Sequence, residues 1–137
     1  MQFNQELNRE SYTIRSYSSG KISISVPLDI YSEQPDAPAI EELTNSFIMT
    51  PSQLIRNWPP QSVDKICADH LEIFAELKPE VLLIGTGDTL TFPDTKLTYQ
   101  LMEQGIGVEV MDTAAACRTY NVLMHESRRV AVALVVN

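Results

Sequence analysis

The first part of the chain alternates apolar and polar residues. The segments SYTIRSY (11–17) and KISISV (21–26) both alternate, and SSGK between them has the composition of a turn. Because successive side chains of a strand point to opposite faces, this pattern predicts a β-hairpin. The stretch 27–39 holds three prolines and predicts an exposed, irregular connection. The segment NSFIMTP (45–51) predicts a further strand, with IEEL just before it as the expected partner.

Beyond the proline pair at 59 and 60, the apolar residues recur at the three- and four-residue spacing of a helix. This spacing predicts a helix over 63–77, with Pro79 as a stop signal just past its end. The run EVLLIG then predicts a short strand that is buried on both faces. Two further helices and strands repeat this plan: helices at 94–105 and 112–126, and strands at 106–111 and 128–136.

This βαβαβ series predicts an α/β fold. Such units cross over right-handedly, so the three strands should lie parallel in one sheet that helices cover. The N-terminal strands either extend that sheet or pack against it. The length of 137 residues favours a single domain over the whole chain, 1–137.

Two loops follow the carboxyl ends of successive predicted strands. GTGD (85–88) leaves the first strand and MDT (111–113) leaves the second. Loops at this edge of a parallel sheet form the usual ligand crevice, so we expect the two to meet if their strands are neighbours. Gly85 and Gly87 leave space where backbone N–H groups could face an anion, and Asp112 is placed to cap the next helix.

A phosphate-binding role for GTGD has weak support. Position 90 is Leu where a dinucleotide fingerprint needs its third glycine, and no Gly-Lys-Ser/Thr triplet is present. Asp88 and Asp94 also add negative charge near the loop. Two interpretations therefore stay open: a glycine-enabled turn with a solvated Asp88, which is favoured, and a ligand-binding loop.

Composition and charge narrow the class of protein. Hydrophobic residues make up 44% and charged residues 20%, as in globular domains. The net charge is −8 and the ten basic residues are dispersed, which argues against nucleic acid as a partner. No apolar run approaches the roughly 18 residues of a membrane span, and MQFNQELNRE lacks the pattern of a secretory signal. These features predict a cytoplasmic protein.

The thiol and imidazole side chains form no known catalytic or metal-binding motif. Cys67 and Cys117 are too far apart in sequence for a CxxC pair, and each is expected to be a small buried hydrophobe. Cys117 precedes Arg118, which makes it the more open of the two to reaction. His70 and His125 belong to no HxxE or HExxH pattern, so neither a metal nor a cofactor is expected.

Other prominent side chains have structural interpretations. Asp112 is interpreted first as an N-cap, with general acid or base catalysis as the less favoured alternative. Trp58 and Tyr120 are expected to be core or interface aromatics. The pair at 128 and 129, both Arg, begins an apolar strand that it would protect from aggregation.

Two longer strings resemble a known family. PEVLLIGTG and GIGVEVMDTAAACRTYNVLMHESRRVAVALV are similar to small α/β domains of unknown function in bacteria and archaea. The mitochondrial relatives in that family include an assembly factor for respiratory complex I, NADH:ubiquinone oxidoreductase complex assembly factor 3. The resemblance runs from about residue 46 to the C-terminus. Residues 1–45 match only loosely, as a strand-rich start.

The resemblance implies a compact α/β domain with a surface cleft at the strand ends, and no enzymatic reaction is established for the family. The recurrent family elements fall on Gly85, Thr86, Gly87, Asp112, Thr113, Ala116, Cys117, Thr119, Tyr120 and Asn121. We take as the candidate ligand or partner crevice Gly85, Thr86, Gly87, Asp88, Asp112, Thr113, Cys117 and Asn121.

Two functional hypotheses follow. The favoured one is a non-catalytic module that binds another protein during the assembly of a respiratory or other membrane complex, as the resemblance implies. The alternative is a small-molecule or anion-binding enzyme, in which Asp112 acts as a base and Thr113 and Asn121 make polar contacts. The absence of a recognisable catalytic motif favours the first, and the sequence leaves the protein partner and the oligomeric state open.

Overall fold

The computed structural model describes residues 11–27 and 39–137. In chain order, the strands are β1 Thr13–Ser18, β2 Lys21–Val26, β3 Ala39–Leu43, β4 Phe47–Met49, β5 Leu54–Ile55, β6 Val81–Gly85, β7 Gly107–Met111 and β8 Val130–Leu134. The helices are α1 Ile73–Leu77, α2 Thr95–Glu103 and α3 Thr113–His125. Two 3-10 turns, Val63–Lys65 and Ala68–Leu71, lie between β5 and α1.

The predicted hairpin is confirmed and forms two strands of a small antiparallel sheet. Strand β1 pairs with β2, and β2 pairs with β3. Gly20 turns the hairpin with a φ of +78°, a backbone conformation that suits glycine. The pairing sets Ile14 opposite Ile24, and these side chains lie in the core with Ile22 and Leu43. The predicted connection at 27–39 lies almost wholly outside the described residues.

The larger sheet has five strands in the order β5-β4-β8-β6-β7. Strand β6 pairs in parallel with β7 on one side and β8 on the other, as the βαβαβ pattern predicts. Strand β4 lies antiparallel to β8 and β5. The predicted pairing of β4 with IEEL is wrong, because that segment is β3 and pairs with β2. Every residue of β6 and β8 is buried, since both strands have neighbours on each side and side chains packed over both faces.

The two faces of the five-stranded sheet carry different layers. One face, with Val81 and Leu83, packs in a cluster with residues of α3 and the small sheet. The other face, with Leu82 and Ile84, packs with residues of the 3-10 turns, α1 and α2. The N-terminal strands therefore pack against the sheet rather than extend it.

The predicted continuous helix over 63–77 is wrong. The segment forms the two 3-10 turns and then the five-residue α1, because Ile66 and Cys67 have extended backbone conformations that interrupt the helical path. A spacing of three residues between apolar positions also fits the 3-10 period, so Val63 and Ile66 are buried without an α-helix. Helix α1 ends at Lys78, which has a left-handed conformation directly before Pro79.

The other helix predictions are confirmed. Asp94 caps α2 and Asp112 caps α3, each through a side-chain oxygen that accepts a backbone N–H of the first turn. Trp58 and Tyr120 are both buried, as expected for core aromatics. Within the described residues, no helix has the length and apolar composition needed to cross a membrane.

Candidate functional site

The GTGD and MDT loops meet, because β6 and β7 are neighbouring parallel strands. The N–H of Thr86 donates to the carbonyl of Met111 at 3.0 Å, and the N–H of Thr113 donates to the carbonyl of Gly87 at 2.9 Å. The N–H of Gly87 donates in turn to Thr113 Oγ1 at 2.8 Å. Three hydrogen bonds thus join the two loops at the carboxyl edge of the sheet.

The two glycines of GTGD are needed for different reasons. A Cβ atom at Gly85 would lie 2.5 Å from Leu134 Cδ2 and 3.2 Å from the Ala116 Cβ, so a side chain there would force the buried Leu134 to move. Gly87 has open space around its Cα but a φ of +104°, which residues with a side chain rarely adopt. Packing constrains the first glycine and backbone conformation the second.

The polar groups of the crevice bond to one another. The backbone N–H groups of Thr86 and Gly87 both donate within the paired loops. The Thr86 hydroxyl donates to the carbonyl of Thr89 at 2.7 Å and accepts from the N–H of Thr91 at 3.2 Å. Thr113 is fully buried. These N–H groups stabilise the turn, so they are not directed at an anion.

Asp112 has the role of a helix cap. Its Oδ1 accepts the N–H of Ala115 at 2.9 Å, and its backbone carbonyl accepts the N–H of Ala116. A carboxylate at this position also interacts favourably with the positive end of the helix dipole. No part of the described chain brings together three or more His, Cys, Asp or Glu side chains that could hold a metal ion.

Asp88 is not the freely solvated strand exit that the favoured interpretation expected. Although exposed, it accepts a short hydrogen bond from the Tyr17 hydroxyl and another from Ser19 Oγ at 2.7 Å. These bonds lower the pKa of the Asp88 carboxyl. Partial burial, together with the hydrogen bond and charge of Asp88, raises the pKa of Tyr17 to about 12. Asp88 therefore ties the tip of the N-terminal hairpin to the GTGD loop.

Sequence reasoning missed Tyr17 and Ser19, which lie about seventy residues before Asp88. Both residues belong to a segment whose pattern indicated only a hairpin. The contact arises because the small sheet packs on the same sheet face as α3, which brings the hairpin tip to the crevice. No local signal in either segment encodes this contact.

Asn121 links α3 to β1 and does not extend the polar crevice. Its Oδ1 accepts the N–H of Ile14 at 3.0 Å, and its Nδ2 donates to the carbonyl of Ile14 at 2.7 Å. This contact lies where the pairing of β1 with β2 is irregular, between Ile14 and Ser16. Tyr120 acts similarly, because its hydroxyl donates to the carbonyl of Tyr12 at 2.8 Å. The Tyr-Asn pair thus attaches the small sheet to α3.

The two cysteines have different environments. Cys117 is buried, as predicted, and burial raises the pKa of its thiol to about 12. Cys117 is therefore the less accessible of the two thiols. Cys67 is exposed, contrary to the prediction, and its Sγ lies 3.4 Å from His70 Nδ1. The predicted burial of Cys67 assumed that a helix runs through it, but the backbone at Cys67 is extended.

An exposed apolar surface begins just beyond the crevice. Of the six large apolar side chains exposed in the described residues, four lie between positions 90 and 102. We call these four the apolar surface: Leu90, Phe92, Tyr99 and Met102, exposed by 52%, 70%, 62% and 56%. An open groove of about 470 Å³ follows the outer side of α2, with Tyr99 among its lining residues.

Comparisons with known proteins place this geometry in a family. Residues 14–135 match the model of a family described as a protein of unknown function (DUF498/DUF598), so the chain belongs to that family. The resemblance inferred from GTG and MDTAAACRTYN is thereby confirmed. An NMR structure of a Xanthomonas campestris protein is 34% identical and has a TM-score of 0.75, covering 99% of this chain and 92% of its own.

Two relatives carry descriptive names. The chain is 32% identical over 110 residues to the NADH dehydrogenase (ubiquinone) 1 alpha subcomplex assembly factor 3 of Xenopus tropicalis, which covers 79% of this chain. The matched region is 60% of that relative's length. The chain is also 29% identical over 97 residues to a "13 kDa major membrane protein" of Francisella tularensis, covering 70% of this chain and 79% of that one.

Proposed function

We propose that this member of the family is a non-catalytic assembly module. In this proposal it binds another protein during the biogenesis of a respiratory or other membrane complex. The observation that carries the proposal is the apolar surface at 90–102, which directly follows the GTGD loop. Contiguous exposed apolar patches mark protein contact sites, and we propose that these four side chains form such a patch. Kinship with an assembly factor supports a partner that is itself a protein.

In the proposed arrangement, the crevice supports the contact site and presents it. The bonds among Thr86, Gly87 and Thr113 fix the start of the loop that carries Leu90 and Phe92. Asp94 then caps α2, whose exposed side carries Tyr99. A contact site held in this way loses little conformational entropy when the partner binds.

The partner and location are also part of the proposal. We propose a cytoplasmic protein that works beside a membrane complex. The name of the Francisella relative supports the membrane part of this proposal only. The net charge of −8 favours a protein partner that has basic groups around an apolar contact.

A comparative pull-down tests this function. The tagged protein and its Phe92→Ser variant would be used to capture proteins from a lysate of the source cells, with quantitative mass spectrometry of the bound fraction. We expect wild type to enrich subunits or assembly intermediates of a membrane complex, and Phe92→Ser to lose that enrichment by about tenfold, since a buried aromatic anchor can contribute more than 1 kcal/mol.

Val122→Ser provides the matched control. Val122 is exposed by 56%, as Met102 is, but lies on α3, outside the apolar surface. This variant should retain the wild-type partners. Equal partner recovery with wild type and Phe92→Ser would contradict the apolar surface as the contact site. Recovery of no membrane-complex component by wild type would contradict the assembly function itself.

A further inference from the structure

Cys67 and His70 form a thiol–imidazole pair on the sheet face that carries α1 and α2. Cys67 Sγ lies 3.4 Å from His70 Nδ1 and is exposed. The backbone N–H of Cys67 also donates to Nδ1, at 3.0 Å. In a neutral ring, this bond requires the proton to be on Nε2, so the lone pair of Nδ1 is directed towards residue 67. From this geometry we propose that Cys67 is a reactive thiol, activated by His70, which low-molecular-weight disulfides modify.

A buried aromatic residue holds the backbone of His70 and borders its ring. Trp58 is 6% exposed, and its Nε1 donates to the carbonyl of His70 at 3.1 Å. The two rings meet edge to face, with centroids 6.3 Å apart and planes at 74°. The pair supplies two parts of an activated nucleophile, a thiol and a base within reach, and Trp58 packs against the edge of the base.

The imidazolium formed by proton transfer would stabilise a negative charge on the Cys67 sulfur. The N–H of His70 donates to the backbone carbonyl of Cys67 at 3.0 Å, which fixes the turn that holds the two side chains together. Cys117 lies in a different environment. It is buried, and burial holds its thiol protonated. The chain therefore contains an internal control for cysteine reactivity.

The proposed reaction is a thiol–disulfide exchange. Nδ1 of His70 exchanges the hydrogen bond from the Cys67 N–H for the proton of the Cys67 thiol, while the sulfur attacks one sulfur of the small disulfide. A new S–S bond forms to Cys67 as the original S–S bond breaks, and the leaving thiolate takes the proton from the imidazolium. Cys67 is oxidised to a mixed disulfide, and one half of the reagent is reduced to its thiol.

The reactive pair and the proposed contact site are made of different residues. Ile66, next to Cys67, packs with Leu82 and Ile84 on the sheet face that Leu101 of α2 also covers, so both features lie on that side of the sheet. His70→Gln leaves the apolar surface unchanged, and Phe92→Ser leaves Cys67 and His70 unchanged. The thiol reaction rate and the partner recovery therefore measure the two properties separately.

The test measures the reaction rate with dithiobis(nitrobenzoate), an aromatic disulfide, between pH 6.5 and 8.5. The folded protein is compared with the same protein in urea, and mass spectrometry locates the adduct. At pH 7 we expect Cys67 of the folded protein to react about tenfold faster than the cysteines of the unfolded chain, with Cys117 unmodified. The rate of an unassisted thiol falls about tenfold per pH unit below its ordinary pKa of about 8.5, and the folded rate should fall less steeply.

Substitution of the base separates activation from mere exposure. His70→Gln should lower the folded rate to that of an exposed, unassisted thiol and restore the steep dependence on pH. Added free imidazole should then recover part of the rate, which a purely structural role of His70 would not allow. Trp58→Phe keeps an aromatic ring but loses the Nε1 donor, and should give an intermediate rate.

Circular dichroism of each variant establishes that it is folded. The proposal is overturned if Cys67 in the folded wild type reacts no faster than in urea. It is also overturned if a folded His70→Gln variant keeps the wild-type rate and pH profile.

Discussion

Helices α3 and α2 cover opposite faces of the same sheet, yet they use their polar and apolar side chains differently. On α3, Asn121 bonds to the backbone of β1 and Tyr120 to the carbonyl of Tyr12, just before β1; α3 also contacts β6 and β8. On α2, Leu101 is buried whereas Tyr99 and Met102 are exposed. The fold thus uses the side chains of α3 for its own stability, and the apolar side chains on the outside of α2 remain available to a partner. Stability should therefore depend on the α3 side and partner binding on the α2 side.

The largest effect is expected where β6 packs against α3. Gly85→Val would place a side chain into the space occupied by Leu134 and Ala116, and should destabilise the protein by about 3 kcal/mol through overpacking. Gly87→Ala meets open space and only a strained backbone, at about 1 kcal/mol. Urea unfolding measures both free energies. A Gly85 variant as stable as the Gly87 variant would show that the layers are not tightly packed.

The next effect concerns attachment of the small sheet. Asn121→Ala removes both side-chain bonds to Ile14 and should lower the free energy of unfolding by about 2 kcal/mol, because a partly buried N–H and C=O lose their partner. Val122→Ala, an exposed neighbour on α3, should change it by less than about 0.5 kcal/mol. If the two substitutions cost the same in urea unfolding, the Asn121 contact does not hold β1.

A smaller loss is expected at the start of α3. Asp112→Ala removes the side-chain cap on Ala115 and should cost about 1 kcal/mol, whereas Asp112→Asn should keep most of that bond and cost well under about 1 kcal/mol. Thermal and urea unfolding of the two variants distinguish the cap from a required negative charge. Equal losses for both substitutions would favour the charge.

The contact between the hairpin and Asp88 predicts an alkaline pH dependence. Tyr17 has its pKa raised to about 12 in the folded protein, from an ordinary value of 10.0. The unfolded chain therefore releases this proton first, and stability should fall as the pH rises from 10 towards 12. In Tyr17→Phe, the free energy of unfolding, measured in urea, should fall less steeply over the same pH range. An unchanged slope would mean that the pKa of Tyr17 is the same in the folded and unfolded states.

The smallest effect on stability is expected on the α2 side. Phe92 is 70% exposed, so Phe92→Ser should change the free energy of unfolding by less than about 0.5 kcal/mol. The same variant is expected to lose partner recovery in the pull-down. A large loss of stability would mean that Phe92 belongs to the core, and the contrast between the two helices would then fail.

The sequence by itself determined the features that depend on local chemistry. Alternation over 11–26 predicted the hairpin, and the βαβαβ series that begins with EVLLIG predicted three parallel strands and two connecting helices. Gly87 and Asp112 were also predictable, because a left-handed turn and a helix cap restrict which residue types fit. These signals are short in range, and each can be detected within a few residues.

The tertiary structure alone decided the features that depend on distant packing. The segment IEEL pairs with β2 rather than β4, and 63–77 breaks into short turns. The spacing of apolar residues along the chain fits either arrangement. Asp88 bonds to Tyr17, and Cys67 lies exposed beside His70, only because packing sets where each backbone segment runs. A spacing of three or two residues fixes which side chains share a face, but the sheet order fixes what that face meets.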